Sequence, residues 1–596
     1  MNEYLFLFTI GPVQSFISQA RKTLDLYSAS RLLSDLTYTA IKELDAMKCL
    51  VPDGLIFPNR KIDSKPNRFI ALISTDNPKS VGERIEAKVK KEFNFLAHNA
   101  LKENGVAVHP DFDKHIDSFL EIYWTAVLYE DNYLLKYEEI ERSLGAVKNI
   151  RPFNQLKEQG RKCGLCGERN VLFYKLRKPE DKKNNINNPV IIPAKKHQFV
   201  KGEGLCAVCC TKRFYKEDES FPSTVAIALM DTLYKIGNHS KVSDYKKIFK
   251  NADFNQQLFL EENLTKQYFE KHDLEDYLEQ LEPLIKKKQK EVRDFVREKN
   301  LKLSKYYAVV VFDGDSMGEW LSGIKIKDNN KLKDFHHALS TALGKFAGFS
   351  KNCLTNPMSD QKTGGFLGKA VYAGGDDFLG FVNLNHLFDV LIKLREEFDK
   401  QVSQPLVKGF PFENPDDKIT FSAGIAIAHY KTPLSLVLDH ARSMEKQAKN
   451  VNGKDAVGFA LLKHSGNICE TVFKWNYDGE MNMQLMKKVS HALKYWISDK
   501  FLYSLREEFL HLFDKDTGME PDIVEAELKR LMKRRELSEK KSKYDAENLA
   551  KRLINFLGHL ENLGLSQTKN FNHLTNFFSF LEICNFVSKE INDDAP

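Results

Sequence analysis

Two aspartates stand side by side in the stretch Val371–Phe381 (VYAGGDDFLGF), where Gly374, Gly375, Asp376 and Asp377 join two apolar runs. A two-glycine turn between strand-like runs predicts a β-hairpin with both carboxylates at its tip. Adjacent carboxylates repel each other unless a cation lies between them, so the turn is a candidate site for divalent metal and nucleotide phosphates. The alternative is a solvated turn that carries two aspartates by chance.

A third carboxylate strengthens the metal hypothesis. The run Lys305–Phe312 (KYYAVVVF) is typical of a buried central strand, and its apolar character stops at Asp313. Three carboxylates that converge can hold two Mg²⁺ or Mn²⁺ ions, one lowering the pKa of an attacking ribose hydroxyl and both bridging a triphosphate. Asp313, Asp376 and Asp377 are therefore the predicted catalytic and metal-binding residues, and Asp315 is either a further ligand or a turn former.

The elements around these residues predict how they meet. Helical patterns around Leu332–Phe346, His386–Val402 and Leu434–Met444 alternate with the strands, the hairpin and a further strand at Lys418–His429. The order βαββαβ with an added helix is the ferredoxin-like arrangement of polymerase and nucleotide-cyclase palms, in which the first strand lies beside the central hairpin. We therefore expect Asp313 to lie near the Gly-Gly-Asp-Asp turn.

Other polar residues in this segment are less specific. Lys449 and Lys454 follow the last helix and could neutralise nucleotide phosphates, although lysines at a helix C-terminus also favour the helix dipole. We assign Gly374 and Gly375 to the nucleotide site with these lysines. The pair His336 and His337 is interpreted as helix surface.

Four cysteines form the second strong pattern. Cys163 and Cys166 make one CxxC knuckle, and Cys206 and Cys209 make another. This spacing predicts a structural zinc site of four thiolates with no open position for substrate. Disulfides are the competing interpretation, but nothing else in the sequence indicates an oxidising compartment. Cys210 is a spare or a substitute ligand.

Composition limits the class of protein. The 596 residues are 42% hydrophobic and 29% charged, and no apolar run approaches the ~18 residues needed to cross a membrane. The apolar start lacks a basic region and a cleavage site, which favours a first strand and a cytoplasmic protein. The net charge of +7 is too balanced for a protein that coats nucleic acid, although basic clusters at Lys286–Lys290 and Lys529–Lys543 permit contact with RNA or an acidic partner. For both clusters, a solvated helix face is the alternative.

The chain also contains a degenerate internal repeat. Strands are predicted at 4–10, 68–73 and 121–129, with helices at 14–47 and 78–103, an order compatible with a second palm. This copy has Gly11-Pro12-Val13-Gln14 after its first strand and no hairpin acids, so it could bind nucleotide but could not hold the metals. The predicted fold is an α+β multidomain protein with a non-catalytic palm (1–150), a helical zinc domain (151–300), a catalytic palm (301–468) and a C-terminal α-helical domain (469–596).

The motifs together resemble a known family. The opening stretch Phe8–Ser34, the two cysteine knuckles, the Asp-Gly-Asp-Ser-Met-Gly stretch that begins at Asp313, and the Gly-Gly-Asp-Asp turn are similar in kind and order to the large catalytic subunit of type III-B (Cmr-type) CRISPR effector complexes. The resemblance implies other Cmr-type subunits, a guide RNA and a target RNA as partners. It also implies that target binding switches on a palm that converts ATP into a signalling nucleotide, usually cyclic oligoadenylate.

One departure concerns the nuclease of this family. Many members begin with an HD-type nuclease domain, whereas here the first palm begins at residue 4, and His272-Asp273 lacks the accompanying ligands of a metal nuclease. We therefore expect no DNase activity. Some members without the nuclease resemble enzymes that join AMP from ATP to S-adenosylmethionine, so the acceptor stays open. A catalytically silent scaffold subunit and a stand-alone diguanylate-type cyclase are the remaining alternatives.

Overall fold

The computed structural model describes residues 1–150, 158–177, 188–193, 198–215, 221–249, 254–355, 367–498, 500–512, 521–534, 546–563 and 573–593. These residues form a mixed α/β protein with many helices and two larger β-sheets. No helix among them is long and apolar enough to cross a membrane.

The first sheet has four antiparallel strands in the order β2-β3-β1-β4. Strand β1 is one of its two inner strands, and the run from Leu5 to Phe8 is fully buried. We call this part of the chain the first unit. Its elements are β1 (Asn2–Gly11), α1 (Gln14–Ser18), α2 (Thr23–Ala46), β2 (Leu50–Phe57), β3 (Arg68–Thr75), α3 (Pro78–Glu103), α4 (Phe112–Asp117), β4 (Glu121–Leu128) and α5 (Tyr133–Asn149).

A middle region follows with a small three-stranded sheet and several helices. It carries both cysteine knuckles, and its first helix packs against α2, α3 and α4 of the first unit. The sheet was not predicted, because each strand is two residues long. The elements are β5 (Phe173–Tyr174), β6 (Val190–Ile191), β7 (Gly204–Leu205), α6 (Ala207–Phe214), α7 (Thr224–Ile236), α8 (Ser240–Ile248), α9 (Lys266–Lys271) and α10 (Glu275–Glu298). In the basic cluster on α10, Lys286, Lys287 and Lys290 are exposed.

The second sheet has six strands, and we call this part the second unit. Its elements are β8 (Tyr306–Gly314), α11 (Met317–Leu321), α12 (Leu332–Thr355), β9 (Gly368–Ala373), β10 (Phe378–Asn383), α13 (Leu387–Phe398), α14 (Gln404–Gly409), β11 (Phe421–His429), α15 (Leu434–Lys449), β12 (Ala456–Leu462) and β13 (Ile468–Lys474). The order is β13-β12-β11-β8-β10-β9, and β11, β8, β10 and β9 pair antiparallel. Helices pack on the sheet, so every residue of β10 and β11 is buried.

Two glycines let α15 lie against this sheet. A Cβ on Gly424 of β11 would lie 2.0 Å from the carbonyl oxygen of Ala441, and one on Gly458 of β12 would lie 2.7 Å from that of Met444. Only glycine allows this approach. The close contact fixes the C-terminal end of α15 beside the end of β8.

The second sheet extends into the segment that was predicted as the C-terminal helical domain. The second sheet continues past 468, because β13 pairs antiparallel with β12, so the first residues of the predicted C-terminal helical domain belong to a sheet. After it come β14 (Asn476–Tyr477), β15 (Glu480–Met481), α16 (Asn482–Tyr495), α17 (Lys500–Leu512), α18 (Pro521–Arg534), α19 (Ala546–Glu561) and α20 (His573–Glu590). Residues 535–543 of the second basic cluster lie outside the described ranges.

The interpretation of His336 as helix surface is wrong. Its side chain is buried, and its ring nitrogens lie 2.9 Å from the Tyr133 hydroxyl and 2.9 Å from the Leu321 carbonyl oxygen. Burial lowers the pKa of His336 to about 4, so the ring is neutral. It therefore joins α12 to the first unit.

Candidate active site and metal centre

The Gly-Gly-Asp-Asp turn joins β9 to β10 and lies against the end of β8. Phe378 pairs with Phe312, so Asp377 and Asp313 are the next residues along the two strands. The Gly314 amide donates a hydrogen bond of 3.0 Å to the Asp376 carbonyl oxygen. The structure thus brings together backbone segments that are 60 residues apart in sequence, with all three predicted catalytic aspartates on them.

The two hairpin carboxylates are poorly hydrated. Loss of hydration, followed by the negative charge of Asp313, raises the pKa of Asp376 to about 6. Loss of hydration and the charges of Asp376 and Asp313 raise the pKa of Asp377 to about 8. Carboxylates with raised pKa values are stabilised in their charged form by a nearby cation. The turn therefore has the electrostatic character of a cation site.

A cation from the chain itself contacts one side of this site. The half-buried Lys449, at the end of α15, pairs with the Asp313 carboxylate, and its ammonium lies 3.4 Å from the Gly314 carbonyl oxygen. Burial opposes its charge, but Asp313 together with Glu445 and Asp315 outweighs burial, so the pKa of Lys449 is raised. Glu445, one turn earlier on α15, lies 3.8 Å from the ammonium. An ammonium between a carboxylate and a carbonyl oxygen demonstrates that this position accepts positive charge.

The three aspartates are not mutually as close as a preassembled metal site requires. Among the residues that the structure describes, one group of three or more candidate ligands has all its ligand atoms within 4.8 Å, and that group is the four cysteines. The donor set of the aspartates fits hard divalent cations, which prefer oxygen ligands. In this structure the aspartates are arranged with the Lys449 ammonium in contact with Asp313.

Asp315 is buried and held by two donors. Its Oδ2 atom accepts hydrogen bonds from the Thr420 hydroxyl at 2.8 Å and from the Asp455 amide at 3.0 Å. Its Oδ1 atom is buried with no hydrogen-bond partner among the described residues. One oxygen therefore fixes the end of the loop between α15 and β12, and the other is free to act as a ligand. This geometry is compatible with both roles predicted for Asp315, a turn former and a further metal ligand.

The loop after α15 carries the second predicted lysine. Lys454 donates a hydrogen bond of 2.7 Å to the Ser316 hydroxyl, so it reaches the segment that follows β8. Both Ser316 and Lys454 have positive φ angles, 52° and 50°. The neighbouring Asp455 pairs with the buried Arg395 at 3.0 Å. Arg395 and Thr420, which hold Asp455 and Asp315, were not predicted from the sequence. The aspartate that follows Lys454 was the one residue that could have indicated an anchored loop.

The two glycines of the turn leave room for its carboxylates. A Cβ on Gly374 would lie 2.5 Å from the Oδ1 atom of Asp377. Gly375 has a φ of 132°, in the region that favours glycine. Both glycines are therefore required by the shape of the turn, in addition to any contact with a ligand.

The four cysteines form a compact cluster, as their spacing predicts. The Sγ atoms of Cys163, Cys166, Cys206 and Cys209 lie within 4.8 Å of one another. Cys166 and Cys206 are separated by 3.8 Å between sulfurs, which is too far for a disulfide. Amides point at two of the sulfurs, from Leu165 to Cys163 and from Cys209 to Cys206, each at 3.4 Å.

The cysteines of this cluster differ in the direction in which their pKa values are shifted. Hydrogen bonds from the other three thiols lower the pKa of Cys166. Burial and the neighbouring thiols raise the pKa of Cys206. A tetrahedral cation with affinity for thiolates would allow all four to ionise, which fits Zn²⁺. Cys210 is buried beside the cluster and is outside it.

The His-Asp pair in the middle region is engaged in ion pairs. The Asp273 carboxylate lies 2.9 Å from the Lys175 ammonium and 3.0 Å from that of Lys201. Burial lowers the pKa of His272 to about 4. The Asp273 carboxylate therefore holds two lysine ammoniums of the middle region.

Known protein families match the two units separately. The model of the Cas10/Cmr2 second palm domain matches residues 306–458, and that of the CRISPR-associated Cmr2 N-terminal region matches residues 5–65. The CRISPR system Cmr subunit Cmr2 of Pyrococcus furiosus is 27% identical over 84% of this chain. Both family models and this relative are of the Cas10/Cmr2 family, and the chain is similar to that family in both units. The chain covers 66% of the length of that Cmr2 relative, and the second-palm match includes every predicted residue of the acidic site.

Other Cas10/Cmr2 proteins are similar over shorter stretches or in fold. A Streptococcus thermophilus protein described as a single-strand-specific deoxyribonuclease, Cas10/Csm1 of subtype III-A, is 27% identical over 26% of this chain and 18% of its own length. Solved structures of type III-B Cmr-beta, with cognate target RNA and in the apo state, share the fold. For both, the TM-score is 0.65 at 14% identity over 98% of this chain, and the match covers 83% and 82% of the other chain. The four cysteines lie outside both matched family segments.

Proposed function

We propose that this chain is the catalytic subunit of a type III-B CRISPR antiviral effector complex and that it makes an adenylate second messenger from ATP when target RNA binds. The observation that carries the proposal is the meeting of Asp313 with the Asp376-Asp377 turn, in a site where a lysine ammonium already contacts Asp313. Retention of these acids argues against a silent scaffold. The cysteine cluster, the repeated unit and the matches to Cmr2 argue against a stand-alone diguanylate-type cyclase.

Both units are interpreted as ferredoxin-like palms. Each places its strands in the order second, third, first, fourth, with antiparallel pairing, as a βαββαβ unit requires. The domain scheme that follows is a non-catalytic palm (1–150), a zinc domain (151–300), a catalytic palm that includes β13, and a C-terminal domain of mainly helices.

The residues of the second unit have distinct roles in this proposal. Asp313, Asp376 and Asp377 would hold two Mg²⁺ or Mn²⁺ ions, and the Oδ1 atom of Asp315 would be a further ligand. When bound, the ions lower the pKa of an attacking hydroxyl and offset the charge of the triphosphate. Lys449 leaves Asp313 for the phosphates, and Lys454 approaches them from the Ser316 side.

The middle region is stabilised by one structural Zn²⁺ ion on the four cysteines. Support comes from the compact, mostly buried sulfur cluster and from the two amides that point at sulfur, since closed Cys₄ sites leave no position for substrate. The partners are the other Cmr-type subunits, a guide RNA and a complementary target RNA. The description of a similar fold as Cmr-beta bound to cognate target RNA supports these partners.

The acceptor of the adenylyl group is left open between two molecules. A second ATP would lead to cyclic oligoadenylate, whereas S-adenosylmethionine would give a conjugate with AMP. Both reactions use the same metal chemistry on the α-phosphate of ATP, so the residues above serve either.

One experiment tests the function and separates the acceptors. The complex is assembled with guide and target RNA, supplied with ATP and Mg²⁺ with or without S-adenosylmethionine, and its products are identified by mass spectrometry. We expect an adenylate product that requires target RNA. If the active complex forms no product under any of these conditions, the proposal is wrong.

A further inference from the structure

The hairpin turns of the two units are topologically equivalent but electrostatically opposite. In the second unit the turn between the second and third strands carries Asp376 and Asp377. In the first unit the corresponding turn spans 58–67, between β2 and β3, and it carries Lys65 as a buried residue. The turn of the second unit therefore carries two carboxylates, whereas that of the first unit carries a buried ammonium.

Lys65 is surrounded by oxygen atoms of its own turn. Its ammonium donates to the carbonyl oxygens of Arg60 at 2.8 Å, of Asn59 at 3.5 Å and of Ile62. A lysine has three donors, so all of them are satisfied by backbone oxygens. Burial lowers the pKa of Lys65, and the three carbonyl dipoles offset the cost of burying the charge. Carbonyl oxygens that converge on a cation resemble the ligand set of a metal ion.

The same turn contacts helices on both sides. The Lys65 amide donates a hydrogen bond of 2.7 Å to the Ser34 hydroxyl on α2. On the other side, the Asn59 side chain donates one of 3.0 Å to the Thr341 hydroxyl on α12. Ile62 fills the space at Gly344, where a Cβ would lie 2.8 Å from its Cγ1 atom. The turn is thus clamped between the first unit and the helix of the second unit.

The clamped part of α12 is next to the acidic turn. It packs against β9, the strand that leads into the turn. Leu343, which precedes Gly344, also lies on the side of the turn where a Cβ on Gly375 would point. A displacement of α12 at Gly344 would therefore reach the backbone that carries the two hairpin aspartates.

We propose that Lys65 is an internal cation that orders the 58–67 turn and, through Ile62 and α12, positions the Gly-Gly-Asp-Asp turn of the second unit. Lys65 is then a positioning residue and makes no contact with substrate. The ordering role stands on contacts alone, whereas its effect on product formation rests on the proposed function.

The test is chemical rescue in the full-length chain. Lys65→Ala deletes the equivalent of n-propylammonium, and hydrogen–deuterium exchange reports the order of the 58–67 turn and of α12. We expect exchange in both to rise about tenfold as local opening becomes easier. Millimolar n-propylammonium chloride is expected to restore slow exchange, whereas sodium chloride of equal ionic strength is not. Product formation in the assembled complex is expected to fall and recover in parallel.

Two further variants keep the test decisive. Lys65→Met retains the apolar stem without the charge, so we expect the same loss of order and no rescue, because the space is filled. Lys61→Ala, an exposed residue of the same turn, should leave exchange unchanged. The inference is wrong if α12 is unaffected by loss of Lys65, or if sodium restores order as well as propylammonium. Exchange is measured without turnover, so failure of the proposed function would leave this result interpretable.

Discussion

The two βαββαβ units share a strand order, but they differ in how they treat charge at the hairpin turn. The first unit places the Lys65 ammonium among backbone carbonyl oxygens of its turn. The second leaves Asp376 and Asp377 poorly hydrated, with raised pKa values and a lysine from α15 at the neighbouring Asp313. The difference teaches that the first unit places a buried ammonium among the backbone oxygens of its turn, whereas the second unit keeps two carboxylates with raised pKa values at its turn.

The largest expected effect comes from removing the negative charge of the second unit's turn. Asp376→Ala combined with Asp377→Ala deletes the hairpin carboxylates, and we expect product formation to fall on the order of 1,000-fold or more. The measurement is target-dependent product by mass spectrometry. The matched control is Asp63→Asn in the first-unit turn, where the carboxylate is exposed and pairs with Lys351 at 3.4 Å. Equal loss in the control, or no loss in the double variant, would contradict the division between the units.

Removing one ligand from the cysteine cluster is expected to destabilise the packing of α6 on the first unit. Helix α6 begins at the second knuckle and packs on the first unit, and its buried Arg213 pairs with Asp25 of α2. Cys206→Ser should reduce bound zinc from about one ion per chain to near zero and lower the Tm by roughly 5–10 °C. Metal analysis and thermal unfolding check both. Cys210→Ser, outside the cluster, should retain the zinc; stoichiometric zinc in Cys206→Ser would disprove the site.

The sequence predicted those elements and residues that follow a strong periodicity or a characteristic spacing. The run before Asp313, the hairpin and the helices at 78–103 and 332–346 carry clear periodicity, and the cysteine spacing carries its own geometry. Strand β2 was missed because Pro52 and Gly54 interrupt it, and it survives as an edge strand with an irregular register. Strand β13 (ICETVFK) was missed because the chain from 469 onward was predicted to be α-helical from its content of Lys, Glu and Leu.

Residues whose roles depend on distant partners could not be predicted. His336 looks like helix surface until Tyr133 of the first unit lies against it. In the sequence, Lys65 resembles an exposed loop lysine, because the residues next to it do not indicate that three carbonyl oxygens converge on its ammonium. Asp315 was left between two roles, since its anchors Thr420 and Asp455 lie 105 and 140 residues later in the sequence.

A smaller effect is expected from crowding the acidic turn without changing its charge. Gly374→Ala adds a Cβ 2.5 Å from the Oδ1 atom of Asp377, so the carboxylate must move. We expect roughly a 100-fold loss of product formation, because displacement by about 1 Å can cost that much. Gly348→Ala on α12 is the control, since a Cβ there meets nothing within 4 Å. Unchanged product formation in Gly374→Ala would mean that the position of Asp377 in this structure is irrelevant to turnover.

The smallest expected effect distinguishes the two roles of Asp315. Asp315→Asn retains one acceptor oxygen for the Thr420 hydroxyl and the Asp455 amide, but it removes the negative charge of the other oxygen. If the Oδ1 atom helps to bind metal, the concentration of Mg²⁺ needed for half-maximal product formation should rise about tenfold. The Tm should then change little. Thr420→Val is the matched comparison, because it removes one donor to Asp315 and leaves the carboxylate, so it should lower stability slightly without raising the Mg²⁺ requirement. Identical Mg²⁺ titrations for Asp315→Asn and the unmodified chain would leave Asp315 as an anchor of the loop alone, and the second unit would then hold its cations with three aspartates.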